Sequence, residues 1–304
     1  MGLLSERAPY LAFPDRPRLH LPGEARVAVW VIVNVEEWSI ARAMPRTVLP
    51  PPMGQPLMPD LPNWAWHEYG MRVGFWRLLK AIEQRGLRAT FAVNGHVCRS
   101  YERVARAARD AGWEFMGHGY VQQPMHNTED QRAAIFDTVA AIRDFTGRPP
   151  PGWESPGLTE NNETLDLLKE AGIGYVANWV IDDLPLELDT PHGPILSVPY
   201  SVETNDIVVH AVQHQPSDAF NRRCVDQFDR LWEEGGDNAK VMAISTHPYL
   251  TGVPHRIGYF EQLLDYVCSR DQVALMTGEE IAGWYRGEQA RLGSERREAR
   301  AARG

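Results

Sequence analysis

Val27-Ala28-Val29-Trp30-Val31-Ile32-Val33, followed at once by Asn34-Val35-Glu36-Glu37-Trp38, is the stretch that decides the fold. The first seven residues are apolar and mostly β-branched, the signature of a buried strand, and the strand ends in an amide and two carboxylates. Similar short apolar runs recur at 89–93, 114–116, 174–177, 195–198, 241–245 and 273–276. Amphipathic helical stretches separate several of them, at 73–84, 101–111, 129–146, 161–171, 218–234 and 259–268. Strand and helix in alternation imply parallel pairing and right-handed crossovers, in a doubly wound sheet or a barrel.

The residues just past each strand favour the barrel. Asn34 and Glu36 come after the first run, Asn94 after the second, His118 after the third, Asn178 with Asp182 after a later one, and His247 after the run 241–245. Polar groups at the carboxyl ends of several strands are how a barrel gathers a site on one face. Any one of them is an ordinary polar loop residue, but a set drawn from His, Glu, Asp and Asn is a set of acids, bases and hydrogen-bonding groups.

Composition bounds the function. The 304 residues are 43% hydrophobic and 23% charged, enough for one large core. A formal net charge of -9, without a basic stripe carrying interleaved aromatics, speaks against nucleic acid. Cys98, Cys224 and Cys268 are odd in number and widely spaced, which fits a reducing compartment better than a disulfide scaffold or a zinc module. No window has signal-peptide or membrane-span character, so a cytoplasmic protein without a membrane partner is expected.

Three regions stand apart. Residues 1–23, with prolines at 9, 14, 17 and 22, read as an irregular N-terminal arm. A Pro-rich insertion at about 43–66 is too long for an ordinary connection and reads as a lid or an oligomer contact. A charged tail at 287–304 reads as a solvated helix. The catalytic barrel is expected between them, at 24–286.

Neighbours on a strand point to opposite faces, so Asn34 and Glu36 share one. Glu36 is the candidate base, with Glu37 as its substitute if the chain bends. His118 stands between Gly117 and Gly119, where the backbone can approach a ligand closely. Ser245-Thr246-His247-Pro248 repeats the arrangement. A carboxylate and two imidazoles suffice for general acid-base hydrolysis of an amide. Asn34, Asn94 and Asn178 are candidates to hold a substrate's polar edge, and Trp66 or Trp153 to cover a flat face. The remaining histidines, at 20, 96, 126, 192, 210, 214 and 255, have surface or capping positions; His67 adjoins a motif.

From Pro22 to about Trp284 the chain resembles the polysaccharide deacetylase superfamily, and within it the cofactor-independent allantoinases and cyclic imide hydrolases. The resemblance rests on Pro22-Gly23-Glu24, Asn34-Val35-Glu36-Glu37, Glu68-Tyr69-Gly70 with Arg72, Gly74, Trp76 and Arg77, and His118-Gly119-Tyr120. Further pieces are Gly152-Trp153, Asp182-Asp183-Leu184-Pro185, Pro199-Tyr200 with Thr204-Asn205-Asp206, and His247 with Gly252, Pro254 and Arg256. It implies an α/β fold, a deformed (β/α) barrel of about seven parallel strands, and hydrolysis of a carbon-nitrogen bond in a small amide, imide or ureide. Glu36 then takes the first catalytic position, His118 the second, and His247 protonates the leaving nitrogen or stabilises the oxyanion.

Departures from the pattern carry information. Metal-using members have an aspartate pair and a second histidine four residues after the first; here Glu36 stands at the base position, Glu37 at the metal-ligand position, and Gln122 replaces the second histidine. Glu37 and His118 with a neutral amide make a poor zinc site. An enzyme without a required cofactor is therefore expected, with a weakly bound divalent metal such as zinc as the alternative. Glu154-Ser155-Pro156-Gly157 replaces the polar groups that would suit allantoin itself. Two rival readings remain, a metal-dependent N-acetyl-sugar deacetylase and a catalytically silent binding barrel. A homodimer or homotetramer is expected from the branch resembled.

Overall fold

Strand β1 (Val27–Val35) is buried along all nine residues and organises the rest of the chain in this computed structural model, which describes residues 4–301. The other strands are β2 (Thr90–Val93), β3 (Glu114–Gly117), β4 (Gly152–Trp153), β5 (Tyr175–Val176), β6 (Leu186–Leu188), β7 (Ile195–Ser197), β8 (Lys240–Thr246) and β9 (Val273–Leu275). They form one sheet in the order β6-β7-β5-β4-β3-β2-β1-β8. One edge of β1 pairs with β8 from Val27 to Val33. The other is shared between β9 at Val27–Val29 and β2 at Ile32–Val35. Every pairing is parallel except β6 with β7. The curled, mostly parallel sheet is the deformed (β/α) barrel expected from the sequence. The two strands not anticipated, β4 and β6, are too short for an apolar run to announce them.

The helices are α1 (Leu61–Tyr69), α2 (Phe75–Glu83), α3 (Val97–Ser100), α4 (Glu102–Asp110), α5 (Gln131–Thr146), α6 (Thr164–Glu170), α7 (Ala219–Glu234), α8 (Pro254–Cys268) and α9 (Gly278–Ala301). Strand parity divides the core between them. Val27, Val29, Val31, Val33 and Val35 point outward into a cluster with Phe75 and Leu78 of α2, Phe228 of α7 and Phe260 of α8. Ala28, Trp30 and Ile32 point inward and meet Ala92, Met116, Tyr175, Val198 and Ala243 from the other strands. Deep in the barrel, the Trp30 indole N–H donates to Thr90 Oγ1 at 2.7 Å, and Thr90 and the Tyr175 hydroxyl both donate to the Glu114 carboxylate. That buried network satisfies the polar atoms of an otherwise apolar floor.

Two expected boundaries move. The Pro-rich insertion ends earlier than position 66, because Asp60 accepts the Asn63 N–H and starts α1 at Leu61. The expected tail begins inside α9, a continuous helix whose first turns bury Ile281 and Ala282, so position 287 is no boundary; residues 302–304 of that tail lie outside the described residues. The arm lies against the body where it is described. Leu19 and Leu21 enter the inner core, and Arg7 pairs with Asp166 of α6. Residues 1–3 of the arm also lie outside the described residues.

Glycines set the distance between α1-α2 and the loop after β8. A Cβ on Gly74 would lie 2.0 Å from Pro248 O, and one on Gly70 would lie 2.7 Å from the Tyr249 nitrogen. This close approach fixes the loop that carries His247. Gly74→Ala is expected to destabilise the protein by about 1–3 kcal/mol through overpacking. Gly258→Ala, in open space on α8, should stabilise it by about 0.5–1 kcal/mol. Urea denaturation of both variants checks the pair.

Candidate active site

The inward parity that builds the core continues past the strand ends and delivers the polar residues to one place. On β1 the series Ala28, Trp30, Ile32 runs on to Asn34 and Glu36; on β8, Val241 and Ala243 run on to Ser245 and His247. Met116 of β3 leads to His118 and Ala92 of β2 to Asn94. Glu36, His118 and His247 are nearly closed off, with side chains 5%, 2% and 4% exposed.

Glu36 Oε1 is the meeting point. His118 Nε2 lies 3.5 Å from it and His247 Nε2 3.6 Å. The Gln122 amide nitrogen donates to it at 2.7 Å, and the Trp38 indole donates to Oε2 at 3.1 Å. Burial by itself would raise the Glu36 carboxyl; the hydrogen-bonding side chains that face it, His247 among them, outweigh burial and hold it well below the usual carboxylate range. Glu36 is a carboxylate at neutral pH.

His247 is held as a proton donor facing Glu36. Its Nδ1–H donates to Asp206 Oδ1 at 2.7 Å, while Asp206 Oδ2 accepts from the His247 backbone N–H and from the Thr251 hydroxyl. Burial would lower the imidazole pKa, but Asp206 and Glu36 together push it up to about 10. The Nε2–H therefore faces Glu36 at neutral pH.

His118 is held differently. Its Nδ1–H donates to Glu154 O at 2.8 Å. Asn94 Oδ1 accepts the Glu37 backbone N–H, so its amide nitrogen must be the donor to Gln122 Oε1. Gln122 then turns its own N–H groups toward Glu36 Oε1 and His118 Nε2, the latter at 3.2 Å. A proton on His118 Nε2 would oppose that donor. Burial lowers its pKa and the Glu36 carboxylate outweighs burial and raises it, while the Gln122 amide directed at Nε2 favours the form in which that nitrogen is bare. Glu36, His247 and His118 are thus each held by named partners.

The other expected site residues divide. Asn34 donates to Ser245 Oγ at 2.8 Å and leaves its Oδ1 buried and unpartnered, as a substrate-holding amide would. Trp66 stands beside the site, edge-on to His67 and Tyr249. Asn94 and Asn178 are corrections to the substrate-binding set. Asn94 spends its amide on Glu37 N, His118 O and Gln122, and Asn178 spends its own on Ser155 and Glu160. Both amides are committed to holding the surrounding chain in place. Trp153 is a third correction, fully buried on the outward face among Leu165, Leu168 and Val176, where it packs against Gly117. Glu37 is a fourth. Its carboxylate turns away from Glu36 to His96 Nδ1 at 2.8 Å and Ser100 Oγ at 2.6 Å, so it neither substitutes for the base nor joins His118.

Several residues gain a role only from the structure. Asp206 stands in a sequence motif that gives it no function, and its distance of 41 residues from His247 hides the pair. Tyr200 and Glu154 lie together at the inner wall, where burial raises the Glu154 carboxyl despite the nearby His118 and His247. Tyr249 reaches the site with its hydroxyl buried and unpartnered, and burial keeps that hydroxyl protonated far above its usual range. His67 packs against Trp38, Trp66 and Tyr249. Parity along β8 and after β4 is the signal that could have found Ser245 and Glu154.

The profile of the polysaccharide deacetylase family matches residues 66–176. A crystal structure described as a probable polysaccharide deacetylase from Pseudomonas aeruginosa PAO1 superposes with a TM-score of 0.82 at 30% identity, over 90% of this chain and 95% of that one. The chain belongs to the polysaccharide deacetylase family. A PuuE allantoinase structure is equally similar, with a TM-score of 0.82 and 28% identity over 90% of this chain and 94% of that one. A peptidoglycan deacetylase of Helicobacter pylori is 24% identical over 259 residues, covering 69% of this chain and 83% of that protein. This family member is a hydrolase of carbon-nitrogen bonds other than peptide bonds.

Metal dependence is typical of the family, but the donors here do not suit a cation. Glu37 is engaged with His96 and Ser100, and the Gln122 N–H is directed at the His118 lone pair that a metal would need. Among the described residues no group of three His, Cys, Asp or Glu side chains is arranged to hold a metal. No helix among them is long and apolar enough to cross a membrane.

The pair Glu36 and His247 predicts the pH dependence. Activity on a true substrate should hold across neutral pH and fall as pH rises through about 10, where His247 loses its proton. Asp206→Asn should bring that fall toward the ordinary imidazole value of about 6.5. The same shift carries stability. Because the folded pKa exceeds the unfolded one, the contribution is complete below about 6.5 and lost as pH rises toward the folded value. A pH-rate profile and a pH series of urea midpoints, each for both proteins, check this.

Proposed function

We propose that this hydrolase opens a carbon-nitrogen bond in a small cyclic or linear amide, imide or ureide without a tightly bound metal. The observation that carries the reading is the enclosed arrangement of Glu36 with the His118 and His247 imidazoles, whose Nε2 atoms lie 3.5 and 3.6 Å from its Oε1. Near-complete burial of these three suits a molecule that enters whole better than a polymer that must be gripped along a groove. The similarity to an allantoinase along most of both chains supports the same reading.

In this mechanism Glu36 takes a proton from water while the water oxygen bonds to the substrate carbonyl carbon. The tetrahedral oxyanion is met by buried donors, for which the unpartnered Tyr249 hydroxyl is available. His247 Nε2–H passes its proton to the leaving nitrogen as the carbon-nitrogen bond breaks, giving a carboxylic acid and a free amine or amide. Glu36 then returns its proton through the site to His247, and both groups are reset.

The similarity to a peptidoglycan deacetylase keeps one rival in view, an N-acetyl-sugar deacetylase using a cation. A panel of hydantoins, imides, ureides and acetylated sugars, assayed with chelator-treated protein, separates the two. Turnover of a ring substrate by metal-stripped protein is the expected result. Turnover of acetylated sugar alone, and only after adding a divalent metal, would overturn the proposal. With the substrate found, His247→Ala should lower turnover by about 10²- to 10⁴-fold, and unchanged turnover would remove His247 from the mechanism.

A further inference from the structure

His67 is a buried base that the mechanism does not use. It lies on α1 with 4% of its surface exposed, and its Nδ1 is 2.8 Å from Asn63 O. A backbone carbonyl only accepts, so Nδ1 carries the proton and, in the neutral ring, Nε2 is a lone pair. That Nε2 is buried and has no hydrogen-bond partner among the described residues. Burial lowers the imidazole pKa, with the Asn63 bond opposing it, which keeps the ring neutral at physiological pH.

The ring cannot swing to find a partner elsewhere. It is packed between Trp38 at 5.3 Å, Trp66 at 5.0 Å and Tyr249 at 4.3 Å between centroids. Two of those neighbours belong to the reacting centre. Trp38 donates its indole N–H to Glu36, and the Tyr249 ring lies 5.8 Å from that of His247. A second unpartnered acceptor, Asn34 Oδ1, lies two residues before Glu36 on the same strand face. A buried acceptor left unpaired is strongly unfavourable, and two beside one reacting centre suit a ligand that brings its own N–H donors.

Resting on the proposed hydrolysis of small ring amides, we infer that His67 is a specificity-determining residue. Its Nε2 accepts a hydrogen bond from an unsubstituted N–H of the substrate, so the enzyme takes imides and ureides with a free ring N–H and rejects their N-alkyl derivatives.

The experiment compares each ring substrate with its N-methyl derivative, and 2-pyrrolidinone with N-methylpyrrolidinone as unreactive ligands, in wild type and in His67→Phe and His67→Asn. Wild type should favour the N–H substrate by about 100-fold or more in kcat/KM, as sites built around a hydrogen bond do. It should also bind the N–H lactam more tightly than its methylated form. In His67→Phe, which keeps an aromatic ring in the packing, both ratios should fall toward one; should that variant not fold, the binding ratio in His67→Asn decides. Equal rates for the two wild-type substrates, or a preference that survives both replacements, would overturn the inference while leaving the hydrolase reading intact. Absence of turnover on every imide and ureide, with acetylated sugar hydrolysed instead, would overturn both.

Discussion

A single carboxylate oxygen, Glu36 Oε1, is faced by two imidazoles and an amide in a space that water barely reaches. Burying a charge there is unfavourable unless its neighbours compensate, and the surrounding structure supplies the compensation. Asp206 holds His247 protonated, the Gln122 amide donates to the same oxygen while Asn94 fixes its orientation, and Trp38 donates to the second oxygen. The barrel beneath makes the arrangement possible, because parallel strands present their inward positions in layers and the top layer is polar.

That layering also explains how much of the site is legible in the sequence. β1 and β8 are long enough for their apolar runs to be read directly, so the polar residues just past their ends, Glu36 and His247, fall where the sequence places them. His118 follows the shorter β3 and is found mainly from its flanking glycines. Trp153 and Asn178 are misassigned from sequence because β4 and β5 are two residues each, too short to fix which parity faces inward. On the observed registry Trp153 points to the helices, and the neighbouring Glu154 has the inner position instead. Glu37 shows the same rule from the other side. Two adjacent carboxylates after an extended strand cannot both turn inward, and the one left over finds His96 and Ser100.

Asp206, Tyr249 and His67 are illegible for another reason. Asp206 and His67 come from irregular or helical chain brought to the site by tertiary packing, and Tyr249, though it continues the spacing of β8, lies in the loop beyond it. Gly70 and Gly74 stand in the sequence only as parts of a motif; their close approach to Pro248 and Tyr249 is what seats α1, and with it His67, beside the catalytic loop. Gln122 is legible as a departure from the metal-using pattern, but its function as the donor that links Glu36 to His118 depends on the orientation of Asn94, which only coordinates reveal.

The protonation states of the two imidazoles that face Glu36 test this account most directly, and nitrogen-15 NMR of histidine-labelled protein reports them. The account predicts that His247 is protonated on both nitrogens throughout neutral pH, titrating near 10, while His118 carries its proton on Nδ1 with Nε2 bare. A His247 that titrates at the ordinary value of about 6.5, or a protonated Nε2 on His118, would contradict it.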